Sequence, residues 1–172
     1  NQGWMDWLDD RGKLEAGSRI DLLGNRLVLI VPSANQDEFT LSDGLGAALG
    51  ESRLAVADPN HVPAGIYAKL ALQNMGLWPA LSPRLASMQN VRATLAVVER
   101  HGVLAGIVYA SDAAASRRVR VVDRVDGSAH PPIRYPLAIV TGRASETVLT
   151  CYEHLLSPAA VAIFEAHGFL VH

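Results

Sequence analysis

The groups in this chain best suited to chemistry are backbone amides. The segment Asp58-Pro59-Asn60-His61-Val62-Pro63-Ala64-Gly65-Ile66-Tyr67-Ala68-Lys69 follows the apolar run Arg53-Leu54-Ala55-Val56-Ala57 and leads into an apolar-periodic stretch. Pro63 suits the first turn of a helix, where its missing N–H costs nothing. Ala64, Gly65 and Ile66 then fall in that turn, with N–H groups that lack intrahelical partners. Small side chains at Ala64 and Gly65 leave a ligand room to approach. Free donors and the helix macrodipole together favour a bound anion. The chemistry expected is non-covalent: an oxyanion held by amides.

Two further positions share the same logic. Asn90 is a natural N-cap for a helix over 91–100, so Asn90-Val91-Arg92 offers a second set of free amides. Every helix has such a start, and an ordinary cap is the competing reading. Tyr109 closes the apolar strand Ala105-Gly106-Ile107-Val108 and precedes Ala110-Ser111-Asp112. Its hydroxyl could donate to an anion, or its ring could simply pack under a loop. Arg92 could neutralise a ligand's charge or point to solvent. Asp58 and His61 read as turn and cap residues, because no nucleophile stands at a recognisable spacing from them. The six histidines (His61, His101, His130, His154, His167, His172) show no metal-ligand spacing, and H-E-x-x-H, C-x-x-C and G-x-S-x-G are all absent. Gly102-Val103-Leu104-Ala105-Gly106 is no phosphate loop, since a strand rather than a lysine follows it.

The elements that must position these groups alternate. An amphipathic helix with Trp4, Trp7 and Leu8 at helical spacing ends near Gly12. Leu22-Leu23-Gly24-Asn25 reads as a turn. Arg26-Leu27-Val28-Leu29-Ile30-Val31 reads as a strand covered on both faces, stopped by Pro32. A short Ser-capped helix over 42–49 precedes the strand 53–57 and the helix 64–75. Trp78 to Pro83 is a connection, and 85–88 a strand edge. Beyond the helix 91–100, ended by Gly102, come a strand over 104–109 and a short helix capped by Ser111-Asp112. Strands over 118–123 and 134–140 follow, then helices over 145–156 and 158–167. Such alternation predicts an α/β architecture, a parallel or mixed sheet with helices on its faces. Ligands on such sheets bind beyond the carboxyl ends of strands, which is where Ala64, Val91 and Tyr109 fall.

Bulk properties narrow the function. The chain has 172 residues, 49% hydrophobic and 19% charged, enough for one large domain or two smaller lobes. Its 15 Lys+Arg against 17 Asp+Glu leave a net charge of −2, so no basic footprint for nucleic acid exists. No global field draws an anion in, and any affinity must come from local dipoles. The single cysteine, Cys151, precludes an intrachain disulfide and reads as a small core residue. Trp4 and Trp7 read as core or lobe contacts. No apolar run reaches transmembrane length, and no secretory signal pattern opens the chain.

Taken together, the segments 58–69, Asn90-Val91-Arg92-Ala93 and Gly106-Ile107-Val108-Tyr109-Ala110-Ser111-Asp112 resemble the molybdate-binding proteins, the periplasmic components of molybdate ABC transporters. Residues 1–7, 22–25, 135–140 and Gly168-Phe169 fit the same family, in the same order. The resemblance implies a two-lobed, type II periplasmic binding fold. Residues 1–24 and 137–172 would form the remainder of a first lobe, and 25–136 the second. It implies an oxyanion ligand, molybdate or tungstate, bound in the periplasm and passed to a membrane permease. The ligand would be held by the Ala64 and Val91 amides and the Tyr109 hydroxyl, through the oxygens and without direct metal ligation. It implies no catalytic residue, no cofactor, no nucleic-acid partner, no stable membrane insertion and a monomeric parent protein. Family members begin with further strand–helix units that supply two serine ligands. This chain starts after them, so its first lobe is expected to be incomplete. Two other classes remain open from the residues alone: the oxyanion-sensing domain of a transcriptional regulator, and an enzyme acting on a small anion.

Overall fold

The computed structural model of the chain describes residues 2–42 and 44–171. Asn1 of the expected first lobe, Asp43 of the expected helix over 42–49, and His172 lie outside them. In chain order the elements begin with α1 (Gln2–Asp9), β1 (Ile20–Asn25), β2 (Leu27–Pro32), α2 (Leu45–Ala48) and β3 (Leu54–Ala57). They continue with α3 (Pro63–Asn74), α4 (Trp78–Leu81), β4 (Leu85–Met88), α5 (Val91–Glu99), β5 (Ala105–Tyr109) and α6 (Ala110–Ala114). The last are β6 (Val119–Arg124), β7 (Ile133–Leu137), α7 (Glu146–Leu155), α8 (Pro158–Ala166) and β8 (Leu170–Val171). The chain divides into two compact units, Asn1–Asn25 with Pro132–His172, and Arg26–Pro131.

The unit Arg26–Pro131 is built on a mixed five-stranded sheet in the order β4-β3-β5-β2-β6. β3 runs parallel to β4 and to β5, while β2 is antiparallel to β5 and β6. The apolar run of β2 has a simple cause: all six of its residues are buried, with neighbours on both edges. Val28, Ile30, Ala55, Val98, Val108, Ala113 and Val119 form one buried cluster, against which Val91, Leu95 and Ala110 pack. The starts of α5 and α6 are thereby anchored in the same core.

The unit of the two chain ends carries a three-stranded sheet, β7-β1-β8, antiparallel throughout. Here the residues 22–25 differ from expectation. Gly24-Asn25 carries turn chemistry, yet Leu23 pairs with Tyr135 and Gly24 with Arg134, past an irregularity between Asp21 and Leu23. The chain returns to this unit at Pro132 rather than at 137, because Ile133–Leu137 is the partner of β1.

Several local expectations are also corrected. Trp4 and Trp7 are 67% and 45% exposed. The opposite face of α1 is the one held: Asp6 and Asp9 both pair with Arg19, and Gln2 reaches Asp21. Trp7 instead carries Arg11 over its ring at 4.0 Å. Cys151 is exposed, since α7 buries none of its residues. Ser42 makes no side-chain cap, and Gly44 occupies the cap position of α2. The connection 78–83 contains the helical turn α4 and the first part of a 3-10 turn, Ser82–Arg84. The strand expected to reach Val140 ends at Leu137. At the end of α5 the left-handed residue is His101, φ 57°, rather than Gly102. The His101 and Gly102 amides donate to the Val98 and Val97 carbonyls, the paired bonds of a Schellman end.

Candidate functional site

β4, β3 and β5 are adjacent and mutually parallel, so their carboxyl ends share one edge of the sheet. α3 begins five residues after β3, counting Asp58 to Val62 between them, α5 begins two residues after β4, and Tyr109 is the last residue of β5. Adjacent strands lie about 4.8 Å apart. The three positions singled out in the sequence therefore follow three neighbouring strand ends within a single unit. Sequence spacing alone cannot reveal this, because it depends on the strand order.

The start of α3 is open. Val62 is the N-cap, extended at φ −99° and ψ 127°, and supplies no side-chain cap. Pro63 has no N–H. The first helical bond runs from the Ile66 N–H to the Val62 carbonyl at 2.9 Å. Ile66 is thus satisfied, contrary to expectation. The Ala64 and Gly65 amides are left without a hydrogen-bond partner among the described residues. Asp58 and His61 are turn residues, as their spacing suggests. The Asp58 carboxylate accepts the Asn60 N–H at 2.9 Å and meets His61 Nδ1 at 2.9 Å. The Asn60 amide first, then His61, hold that carboxyl below its ordinary value.

Gly65 has a different role from the one its size suggests. A Cβ there would stand 2.1 Å from the Ala57 carbonyl oxygen and 2.4 Å from that of Asp58. Its missing side chain faces the end of β3, not a ligand. It lets the first turn of α3 rest directly on the strand that precedes it.

The start of α5 is half-closed. Asn90, at φ −165° and ψ 173°, accepts the Ala93 N–H on its side chain at 2.8 Å. Its carbonyl takes the Thr94 N–H at 3.1 Å. Val91 and Arg92 keep amides without a partner among the described residues. The Arg92 side chain is exposed.

The turn after β5 departs from expectation. α6 has Tyr109 as its N-cap, and neither Ser111 nor Asp112 occupies that position. Asp112 sits three residues on, in the position from which a capping-box side chain turns back toward the cap residue, here the Tyr109 amide. Burial pushes its carboxyl above the ordinary 3.8, against the opposing pull of that amide and of Arg92. A folded-state value above the unfolded one means that the folded chain holds the proton longer. Asp112 therefore favours folding below 3.8 and loses that contribution as pH rises through its raised value. Asp58 and Asp126 are shifted the other way and act in the opposite sense. Thermal melts between about pH 3 and 7 should show Asp112→Asn gaining stability relative to the parent protein as pH rises. A pH-independent difference would contradict the assignment.

The edge thus presents four amides and one phenol, and no lysine among these positions. Such donors can hold an anion. Among the described residues no group of three or more His, Cys, Asp or Glu could hold a metal ion. A separate groove of about 450 Å³ in the other unit is lined mainly by apolar residues, among them Leu137, Ile139, Val148 and Leu155, with Arg143 and Tyr152 also at its wall. No single helix among the described residues is long and apolar enough to cross a membrane. That Tyr109 caps α6 and places Asp112 in its first turn is not legible from the residue types alone. The i, i+3 relation of a capping box was the available signal, hidden because the cap residue is a tyrosine.

Comparison with known proteins bears on what the edge holds. The family described as bacterial extracellular solute-binding protein matches residues 1–170. Molybdate-binding protein ModA of Escherichia coli is 45% identical over 174 aligned positions, which cover 99% of this chain and 68% of that protein. Its namesake in Haemophilus influenzae is 37% identical, with 96% of this chain and 66% of that protein covered. A solved substrate-binding domain of a putative molybdenum ABC transporter from Clostridium difficile superposes with a TM-score of 0.88 at 29% identity, over all of this chain and 74% of that one. The chain thus spans about two thirds of the length of the curated relatives it matches.

Proposed function

The chain belongs to the bacterial extracellular solute-binding proteins, and from that premise we propose that it binds molybdate or tungstate in the periplasm for delivery to an ABC transporter permease. The observation that carries this reading is the shared edge of β4, β3 and β5, with free amides at α3 and α5 and Tyr109 beside them. The names of the relatives favour transport over the regulator reading. In this proposal the Ala64 and Val91 amides and the Tyr109 hydroxyl donate to oxyanion oxygens, with no catalytic residue and no cofactor.

Neutral donors suit the task. A tetrahedral dianion accepts several charge-assisted hydrogen bonds, each worth about 1.5–3 kcal/mol. Fixed amide dipoles need little reorganisation on binding. A buried lysine would add charge and its own desolvation cost. Molybdate and sulfate carry the same charge and shape, so selection between them rests on the size of the cavity rather than on the kind of donor. Binding to the folded state alone raises its stability, by about 2.7 kcal/mol at a hundredfold excess over Kd. Thermal melting with added molybdate should therefore raise Tm, and an unmoved Tm at millimolar molybdate would count against the proposal.

A further inference from the structure

We propose that Asp58 is the positioning residue for the starts of α3 and α5, an inference that rests on the oxyanion reading of the edge. The residues Asp58 to Val62 separate β3 from α3. A loose loop there would leave the Ala64 amide without a fixed place, since ordering one residue costs about 1–2 kcal/mol. Pro59 has its φ fixed by its ring. Each of the remaining loop residues, Asn60, His61 and Val62, is bonded to Asp58. The Asn60 N–H donates to Asp58 Oδ1 at 2.9 Å, and His61 Nδ1 meets Oδ2 at 2.9 Å. The Val62 N–H donates to the Asp58 carbonyl at 3.0 Å. Val62 is itself the N-cap of α3, so the turn ends where the helix begins.

The same residue reaches the second helix start. Its own N–H donates to the Met88 carbonyl at 2.8 Å, which carries the parallel β3–β4 ladder one bond past Ala57. Only Gln89 lies between Met88 and Asn90, the N-cap of α5. The Ala64 and Val91 amides are thus referred to one residue, through Val62 on one side and Met88 on the other. The Asp58 carbonyl oxygen also stands 2.4 Å from where a Gly65 Cβ would lie, so the loop rests against the first turn of α3. An Asp near a helix start commonly caps it, and would then compete with an anion for the free donors. Here both carboxylate oxygens are engaged inside the loop, and the Ala64 and Gly65 amides keep no partner among the described residues. The carboxylate that could block the helix start instead holds it open.

The test pairs backbone NMR with titration calorimetry on the purified protein, using molybdate and sulfate as probes. Without ligand, Asp58→Ala should displace the amide resonances of Ala64, Gly65 and Val91. Asp58→Asn, which keeps an acceptor at the same reach, should leave them near the parent positions. Displacements confined to residues 59–62 would overturn the proposal whatever the ligand data show. With ligand, Asp58→Ala should weaken molybdate binding about tenfold and narrow the margin over sulfate about threefold or more, because donors that lose their spacing lose their fit to one anion size. Asp58→Asn should stay within about threefold of the parent affinity and keep the margin. A role in stability alone would lower Tm and leave the molybdate-to-sulfate ratio unchanged. That result, or an Asn variant as impaired as the Ala one, would overturn the proposal. Should Asp58→Ala fail to fold, Asp58→Leu, close to Asp in size but without an acceptor, takes its place with the same outcomes. A parent protein that binds no molybdate would instead refute the oxyanion reading, and the resonances would still decide whether Asp58 ties the two helix starts.

Discussion

Replacing Tyr109 by Phe is expected to weaken molybdate binding by about 1.5–3 kcal/mol, roughly ten- to more than hundredfold in Kd. The reasoning is local. Tyr109 ends β5, which lies between β3 and β2 in the sheet. In the proposed site the hydroxyl is the donor this residue gives to the oxyanion. Phe keeps the ring and its packing and removes that one donor. The loss should appear in calorimetric Kd, with Tm without ligand moving far less than affinity. Unchanged affinity would remove Tyr109 from the site and leave only the two helix starts.

Gly65→Ala is expected to be strongly destabilising. The added Cβ would stand 2.1 Å from the Ala57 oxygen and 2.6 Å from the Ala57 carbonyl carbon, all backbone atoms of the strand end. No rotamer relieves such a contact, so α3 must move off β3. Overpacking of this kind costs about 1–3 kcal/mol and sometimes more, which for a chain of this size is roughly a 2–12 °C fall in Tm. The movement displaces the Ala64 amide as well, so oxyanion affinity should fall with stability. Gly46→Ala provides the control, because its nearest neighbour is the Leu81 Cδ2 atom at 4.0 Å. That variant should melt at or above the parent temperature, given alanine's helix propensity. A Gly65→Ala protein as stable as the Gly46→Ala one would contradict the packing account.

What the residues made legible, and what they did not, divides along physical lines. β2 announced itself because a strand buried on both faces needs an unbroken apolar run. The starts of α3 and α5 were readable because Pro63 and Asn90 act locally, through a fixed φ and a short side chain. β1 was hidden: Gly24-Asn25 has the local chemistry of a turn, and only pairing with β7, more than a hundred residues away, makes it a strand. The tryptophans of α1 misled because an aromatic stripe usually faces inward. Here two carboxylates that converge on Arg19 decide which face is held. Cys151 misled for a related reason: an apolar helical pattern does not by itself secure a partner face, and α7 buries none of its residues. At the candidate site, the types of Ala64, Val91 and Tyr109 were suggestive, but their common edge depends on the strand order β4-β3-β5. Gly65 was read for what it would admit, when its effect lies in what it lets the backbone do.

These particulars converge on one claim, that the edge of β4, β3 and β5 serves a large tetrahedral oxyanion. Titration calorimetry of the purified protein against molybdate, tungstate, sulfate and phosphate tests it most directly. The account predicts one-to-one binding of molybdate and of tungstate with similar affinity, and markedly weaker binding of sulfate and phosphate. Sulfate bound as tightly as molybdate would contradict it.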